Sequence, residues 1–196
     1  MVAPGKYSVE AFKAVAGKEK SLGDPVKFEV ESIMDPSIKP ARRSQIIAFV
    51  REVGLFSNKL QATSSVLAER VEQLDGIVGI LKSHPNGTEA LLSTAVEYKK
   101  RLTDYRREID GDSMKSARWI RAEPGIRSRI GQALSSATGG TQGPTQQARQ
   151  QFKIGVEEFA EIEKDLYKLL DRELEAFEDK LDRADIPWTK GRDLPK

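Results

Sequence analysis

The sequence predicts a mainly α-helical fold: an antiparallel bundle of three long helices plus a short helix, preceded by an N-terminal β-hairpin. Three observations support this fold class. Between Ile46 and Leu81, apolar residues recur at steps of four and three through five heptads, with two serines among them. Two later segments repeat that spacing, whereas only residues 6–33 alternate apolar with polar side chains. Hydrophobic residues make up 38% and charged residues 32% of the chain, a balance that suits amphipathic helices.

The alternating residues at the start of the chain predict two strands. Tyr7 and Val9 lie on one face of the first strand and Val26 and Phe28 on one face of the second, with the polar segment 17–25 as their connection. A two-stranded hairpin is only marginally stable by itself in water. We therefore expect it to dock on the helices or to belong to a sheet whose other strands this chain lacks. The second option implies a piece of a larger protein.

Capping and breaking residues set the expected helix boundaries. The first helix is expected from about residue 41 to 82 and ends at the His-Pro-Asn-Gly segment 84–87. Thr88 caps the second helix, which runs to a break at Asp-Gly-Asp 110–112. The Asn-Gly-Thr string at 86–88 is formally a glycosylation sequon, but a helix-to-helix turn also requires its glycine, and we favour the turn.

The second half of the chain is less regular before it becomes helical again. A short helix is expected at 113–121 and another from Pro124 to about residue 136, followed by a flexible loop at 137–144. Thr145 then caps a last long helix whose apolar stripe extends to Leu181.

Three segments follow from these boundaries. Residues 1–36 form the hairpin, residues 37–186 the helical bundle and residues 187–196 a C-terminal tail. The tail is expected to fold back on the bundle, since Trp188 would otherwise leave a large apolar side chain in water.

Residue counts exclude several kinds of chemistry. The chain of 196 residues has no cysteine, which excludes disulfides, thiolate zinc sites and cysteine nucleophiles. Its single histidine, His84, excludes multi-histidine metal centres, and we interpret it as a residue of the helix end. The carboxylates of Glu157, Glu158 and Glu161 are interpreted as a solvated face, because no loop holds them at fixed separations. We predict no catalytic, cofactor-binding or metal-binding residue, and hence no enzyme.

Charge is unevenly distributed although the net charge is only +2. Residues 39–130 hold 17 basic and 11 acidic residues, a net of +6, whereas residues 157–185 hold 12 acidic and 5 basic ones, a net of −7. We expect the acidic helix to lie beside basic ones in the same bundle; the alternative is a basic surface for an anionic partner. The basic runs lack interleaved aromatic residues, so no nucleic-acid partner is predicted. No apolar window is long enough to span a membrane, and no membrane partner is expected.

Two tryptophans stand outside the helical stripes. Trp119 lies in the irregular segment between Arg118 and Arg121, and Trp188 lies in the tail. These four residues form the candidate partner surface, since either indole could line a binding groove. The alternative, which we favour, is that each tryptophan tethers a loose segment to the bundle.

Short strings at both ends of the chain resemble one protein group. Residues 2–9 (Val-Ala-Pro-Gly-Lys-Tyr-Ser-Val), 28–30 (Phe-Glu-Val) and 35–36 (Asp-Pro) resemble the final hairpin of an immunoglobulin-like domain. In large bacterial proteins with sortilin-like or BNR-repeat β-propellers, such a hairpin leads into a helical C-terminal region. Residues 143–145 (Gly-Pro-Thr) and 186–192 (Ile-Pro-Trp-Thr-Lys-Gly-Arg) are similar to the C-terminus of that group.

The resemblance implies that the chain is the C-terminal piece of an exported protein, periplasmic or extracellular, of a glycosyl-hydrolase-like group. The propeller's repeated Ser-x-Asp-x-Gly-x-Thr-Trp boxes are absent from this sequence. No catalytic residue of such a parent can therefore be assigned to these 196 positions.

We therefore expect a non-catalytic helical accessory or interaction domain. Its partners would be the β domains of the parent chain or another protein, with a homodimer through the hairpin edge as a further option. Two alternatives stay open: an accessory part of a glycan-cleaving propeller enzyme that contributes Trp119, Trp188 or nearby arginines, and an independent cytoplasmic helical adaptor.

Overall fold

The computed structural model describes residues 5–31, 43–120, 123–139, 143–187 and 189–192. It confirms the predicted fold class, mainly helical with an N-terminal antiparallel hairpin. The boundary expected at residue 36 lies outside the described residues. The strands are β1 (Gly5–Val9), β2 (Phe12–Val15), β3 (Lys18–Ser21) and β4 (Val26–Val30). The helices are α1 (Arg43–Ser83), α2 (Glu89–Asp110), α3 (Ser113–Ala117), α4 (Ile126–Thr138), α5 (Gln146–Lys168) and α6 (Glu175–Arg183), with a π-helical segment (Leu169–Leu174) joining the last two.

The hairpin is longer than the sequence indicates. β1 pairs with β4 and β2 pairs with β3, and a hydrogen bond of 2.8 Å from the Leu22 amide to the Ala11 carbonyl joins the two ladders. Ala16 and Gly17, with φ of 50° and 77°, form the tight turn; positive φ at both positions is typical of two-residue hairpin turns. Because the turn is this short, the segment 17–25 is not one connection as expected: its first half is strand β3.

One face of the hairpin is apolar and open. Tyr7 lies opposite Phe28 with their rings stacked 5.9 Å apart, and Val9 lies opposite Val26. None of the residues 5–31 is buried, and Val26 is 63% exposed. The buried core is formed by the helices and the tail alone. In the described part of the chain, the hairpin therefore does not dock on the bundle, which was one of the two expected outcomes.

α1 is the longest element, with 41 residues, and the other helices are arranged along it. α2 runs antiparallel to it, since Lys99 in the middle of α2 pairs with Asp75, and Asp110 at the end of α2 accepts a hydrogen bond from Ser64, earlier in α1. α4 continues in the same direction toward the beginning of α1. The middle layer of the bundle is thus a helix broken between residues 111 and 125.

The last helical layer runs parallel to α1. Phe152 packs on Phe49, Glu163 pairs with Lys59, and Glu178 accepts a hydrogen bond from Gln73. The residue numbers of these pairs differ by 103, 104 and 105, so the two helices stay in register over this length. The bundle is therefore an up-down-up arrangement in which each layer is antiparallel to the next along the chain.

Aromatic side chains fill much of the core. The ring of Phe56 is nearly perpendicular to those of Phe152 and Phe159, with ring centroids 5.8 and 5.5 Å apart. Tyr98 and Phe177 form the same edge-to-face arrangement with centroids 5.6 Å apart. Edge-to-face pairs add about 0.5–1.5 kcal/mol each beyond the area they bury. These aromatic side chains are buried in the core or, for Phe56 and Tyr98, partly buried against it.

Ion pairs connect the acidic last layer to the basic helices, as expected from the charge distribution. Burial is the largest single influence on the pKa of the Arg101 guanidinium and lowers it, but the hydrogen bonds and charge interactions with Glu173 and Tyr105 together outweigh burial, so the pKa is raised. Burial, followed by the Glu173 charge, also raises the pKa of Tyr98. Three pairs join the last layer to the earlier helices in the described chain: Lys59–Glu163, Arg101–Glu173 and Arg129–Glu158, at 2.6, 2.6 and 3.1 Å.

The π-helical segment keeps the buried stripe of the last layer continuous. Buried residues are spaced by three or four as far as Leu169, but the next one, Leu174, follows five residues later. A π-helical turn with i→i+5 bonds accommodates this extra residue and returns Leu174 and Phe177 to the core side.

Three consecutive residues hold the turn between α1 and α2. Thr88 caps α2 as predicted, its hydroxyl accepting a hydrogen bond of 3.3 Å from the Leu91 amide. The side-chain amide of Asn86 donates a hydrogen bond to the Ala184 carbonyl at 2.9 Å, which ties the turn to the end of α6. A Cβ atom on Gly87 would overlap the carbonyl oxygen of Leu81.

Two glycine-to-alanine substitutions should therefore change stability in opposite directions. Gly87→Ala should lower the free energy of unfolding by about 1–3 kcal/mol, because the methyl group has no space beside the Leu81 carbonyl. Gly79→Ala, in an open position inside α1, should raise it by about 0.5–1 kcal/mol through helix propensity. Urea denaturation of both variants measures this, and equal stabilities would contradict the turn geometry.

Candidate interaction site

The candidate site projects from the break between α2 and α4. Residues 112–120 form it, and we call this segment the Trp119 tip. Gly111, with φ of 90°, ends α2, and Gly125 precedes α4. The two glycines are in close backbone contact, since a Cβ atom on Gly125 would lie 2.5 Å from the Gly111 nitrogen. The chain therefore leaves the bundle and returns to it at one narrow neck.

A polar network fixes the base of this neck. Asp110 accepts hydrogen bonds from the Ser64 hydroxyl at 3.1 Å and from the Arg127 guanidinium at 2.8 Å. Arg127 also donates to the Ser64 hydroxyl at 2.9 Å. Ser64 lies on the buried stripe of α1 and is only 7% exposed. Its hydroxyl is satisfied because it donates to Asp110 and accepts from Arg127. The network joins α1, the end of α2 and the start of α4.

Asp112 organises the start of the tip. Its carboxylate accepts hydrogen bonds from the amides of Met114 and Lys115 at 3.1 and 3.0 Å, which begins the short helix α3. The bond from the Lys115 amide, followed by the positive charge of Arg107, lowers the pKa of Asp112 below its ordinary value. The tip therefore starts from a charged cap at neutral pH.

Trp119 occupies a backbone position that normally belongs to glycine. The Ile120 amide bonds the Lys115 carbonyl at 3.0 Å across the end of α3, which is the six-to-one bond of a Schellman motif. In that motif the residue just before the donating amide has a left-handed backbone conformation. Here that residue is Trp119, with φ of 57°. A non-glycine residue in this region costs about 1–2 kcal/mol.

The side chains that the tip exposes to solvent are apolar and cationic. Trp119 is 97% exposed, and Met114 and Ile120 of the same segment are also exposed. The Arg118 side chain is exposed, and it has no hydrogen-bond or ion-pair partner among the residues that the structure describes. The expectation that Trp119 tethers its segment to the bundle is wrong, because this indole has almost no contact with it. Arg121 and Trp188, the other two predicted site residues, lie outside the described residues.

The tail folds back on the bundle, as predicted, and Arg192 holds it there. Arg192 is only 5% exposed; it pairs with Asp182 on α6 and donates to the carbonyls of Ile186 and Pro187 at 3.3 and 3.1 Å. Arg70 of α1 reaches the tail at the Gly191 carbonyl, 3.3 Å away. Sequence reasoning assigned the folding back to Trp188 and missed Arg192, because a buried arginine is recognisable only once its partners are in place.

The remaining candidates from the sequence are the single histidine, a metal site and a membrane-spanning helix. His84 lies just beyond the end of α1, where its imidazole nitrogen Nδ1 accepts a hydrogen bond of 3.3 Å from the Asn86 amide. Over the described ranges, no group of three or more histidine and carboxylate side chains could hold a metal ion. Within the same ranges, no helix has the length and apolar character needed to cross a membrane.

Comparisons with known proteins give no relative. No protein family matches the chain, and neither do any curated proteins or solved structures. The resemblance to sortilin-like propeller proteins therefore stays a prediction based on short sequence strings.

Substitutions of Trp119 should separate its backbone cost from its side chain. Trp119→Gly removes the left-handed strain and should stabilise the protein by about 1 kcal/mol relative to Trp119→Ala, which keeps a Cβ atom. Thermal and urea denaturation of the two variants measures the difference. An alanine variant as stable as the glycine variant would show that residue 119 is not left-handed in solution.

Two substitutions in the tail should differ sharply in effect. Arg192→Ala removes a buried, charge-assisted network and should destabilise the protein by about 2 kcal/mol. Lys190→Ala removes only an exposed pair with Glu72 and should change stability by less than about 1 kcal/mol. Comparable losses, measured by urea denaturation, would mean that the tail is not packed through Arg192.

Proposed function

We propose that this chain is a non-catalytic helical accessory domain that binds another protein domain, as the C-terminal piece of an exported β-propeller protein. The observation that carries the proposal is the open apolar face of the hairpin. Val9, Val26 and Phe28 are exposed on that face beside the half-buried Tyr7, while the bundle has its own closed core. A two-stranded sheet with an uncovered apolar face gains stability only when a further sheet or strand covers it.

A β domain is the partner that this hairpin fits best. Among the described residues neither β1 nor β4 pairs with a third strand, so an antiparallel strand of a partner can extend the sheet at either edge. Covering the apolar face would stabilise the complex further, at roughly 25 cal/mol per Å² removed from water. The proposal assigns no catalytic residue, because the polar networks at Asp110 and Arg192 hold the fold together.

Immunoblotting of fractionated source cells, with an antibody raised against the chain, tests the proposal first. We expect a band far larger than 21.8 kDa in the exported fraction, as a C-terminal domain requires. A band at 21.8 kDa in the cytoplasm would overturn the proposal and favour an independent adaptor.

Cysteine labelling in the larger protein then tests the hairpin directly. The chain has no cysteine, so a single introduced thiol is a clean probe. Val26→Cys lies on the apolar face and Lys27→Cys on the opposite face of the same strand. In the isolated chain both thiols should react with a maleimide; in the larger protein Val26→Cys should be protected while Lys27→Cys still reacts. Equal labelling of both would contradict a covered hairpin face.

A further inference from the structure

A second exposed apolar surface lies at the Trp119 tip. Three large apolar side chains of the Trp119 tip are exposed: the indole of Trp119, the thioether of Met114 and the aliphatic side chain of Ile120. Tryptophan, methionine and arginine are the residue types enriched where proteins bind each other.

The backbone of the tip is organised before any partner binds. Asp112 caps its helix, the Schellman bond fixes its end, and the glycine neck stands on the Asp110–Arg127 pair. A side chain presented from such a frame loses little conformational freedom on binding. Trp119 has a strained left-handed backbone conformation, yet its side chain makes almost no contact with the rest of the fold. We therefore explain the strain by a contact that the indole makes outside the fold.

Charge at the tip restricts the chemistry of the partner. Arg118 is exposed and free of side-chain partners within the described chain, and Lys115 lies one helical turn before it. Carboxylates at the edge of a binding pocket would complement these cations. A lipid surface fits less well, because recognition of anionic lipids usually takes four to eight clustered basic residues. Here the acids Asp112 and Glu123 adjoin the few basic ones.

We propose that the Trp119 tip docks into an apolar socket of a protein partner, a socket that accommodates an indole and has carboxylates at its rim. The inference rests on the proposed function as an interaction domain and names a second contact of that domain. Trp119 supplies the buried anchor, and Arg118 with Lys115 supplies orientation through the acidic rim.

A random peptide library displayed on phage, panned on the full chain, tests this inference. The Trp119→Gly variant serves as the counter-selection surface, since it should fold at least as stably as the native chain. We expect enriched peptides that combine acidic with apolar residues and that bind the variant at least about tenfold more weakly. Arg118→Glu should also weaken binding, and added salt should weaken it further. Failure to enrich any peptide over the variant, or enriched peptides without acidic residues, would overturn the inference.

A vesicle experiment distinguishes the lipid alternative. In a Trp188→Phe chain, Trp119 is the one remaining tryptophan and its fluorescence reports directly on the tip. Phosphatidylglycerol vesicles should leave the emission unchanged; a blue shift with co-sedimentation would assign the tip to a lipid surface and refute the protein socket. If the tip fails both tests while Val26→Cys stays protected in the larger protein, only this inference falls and the accessory role stands.

Discussion

The length of α1 is the constraint on which the rest of the structure depends. With 41 residues at about 1.5 Å per residue, it extends for about 60 Å and carries a buried stripe along most of that length. No single partner on the middle layer is long enough, so α2 and α4, of 22 and 13 residues, cover it end to end. The chain between them has to leave the bundle and return, and the Trp119 tip is the result.

The sequence predicts the bundle well because its signals are local. The four-and-three spacing sets α1 to within two residues at either end, and Thr88 and Thr145 cap the helices that they were expected to cap. The π-helical segment shows the limit of such signals. The step of five between Leu169 and Leu174 is visible in the sequence, but a kink or a break would restore the stripe as well as a π turn does.

Features that depend on distant partners could not be predicted in this way. The burial of Arg192 requires Asp182 and the α1 surface around Gln73, which only the folded bundle brings together. Trp119 was identified as a site residue by its type, but its expected contact with the bundle was wrong. A large apolar side chain is usually buried, yet the cap at Asp112 and the neck at Gly111 direct this segment away from any element that could cover it.

Four departures from ordinary polar and apolar patterning among the described residues differ in what satisfies them. Ser64 on an apolar stripe and Arg192 in a buried position are polar groups whose partners lie within the chain. Trp119 and the hairpin residues Val9, Val26 and Phe28 are apolar side chains that are exposed in the described structure. Departures of the first kind are explained by the fold alone. Departures of the second kind reduce stability or solubility, and no interaction among the described residues compensates for them. Such sites are where function is expected. This contrast is why we propose two binding surfaces rather than a purely structural role for the bundle.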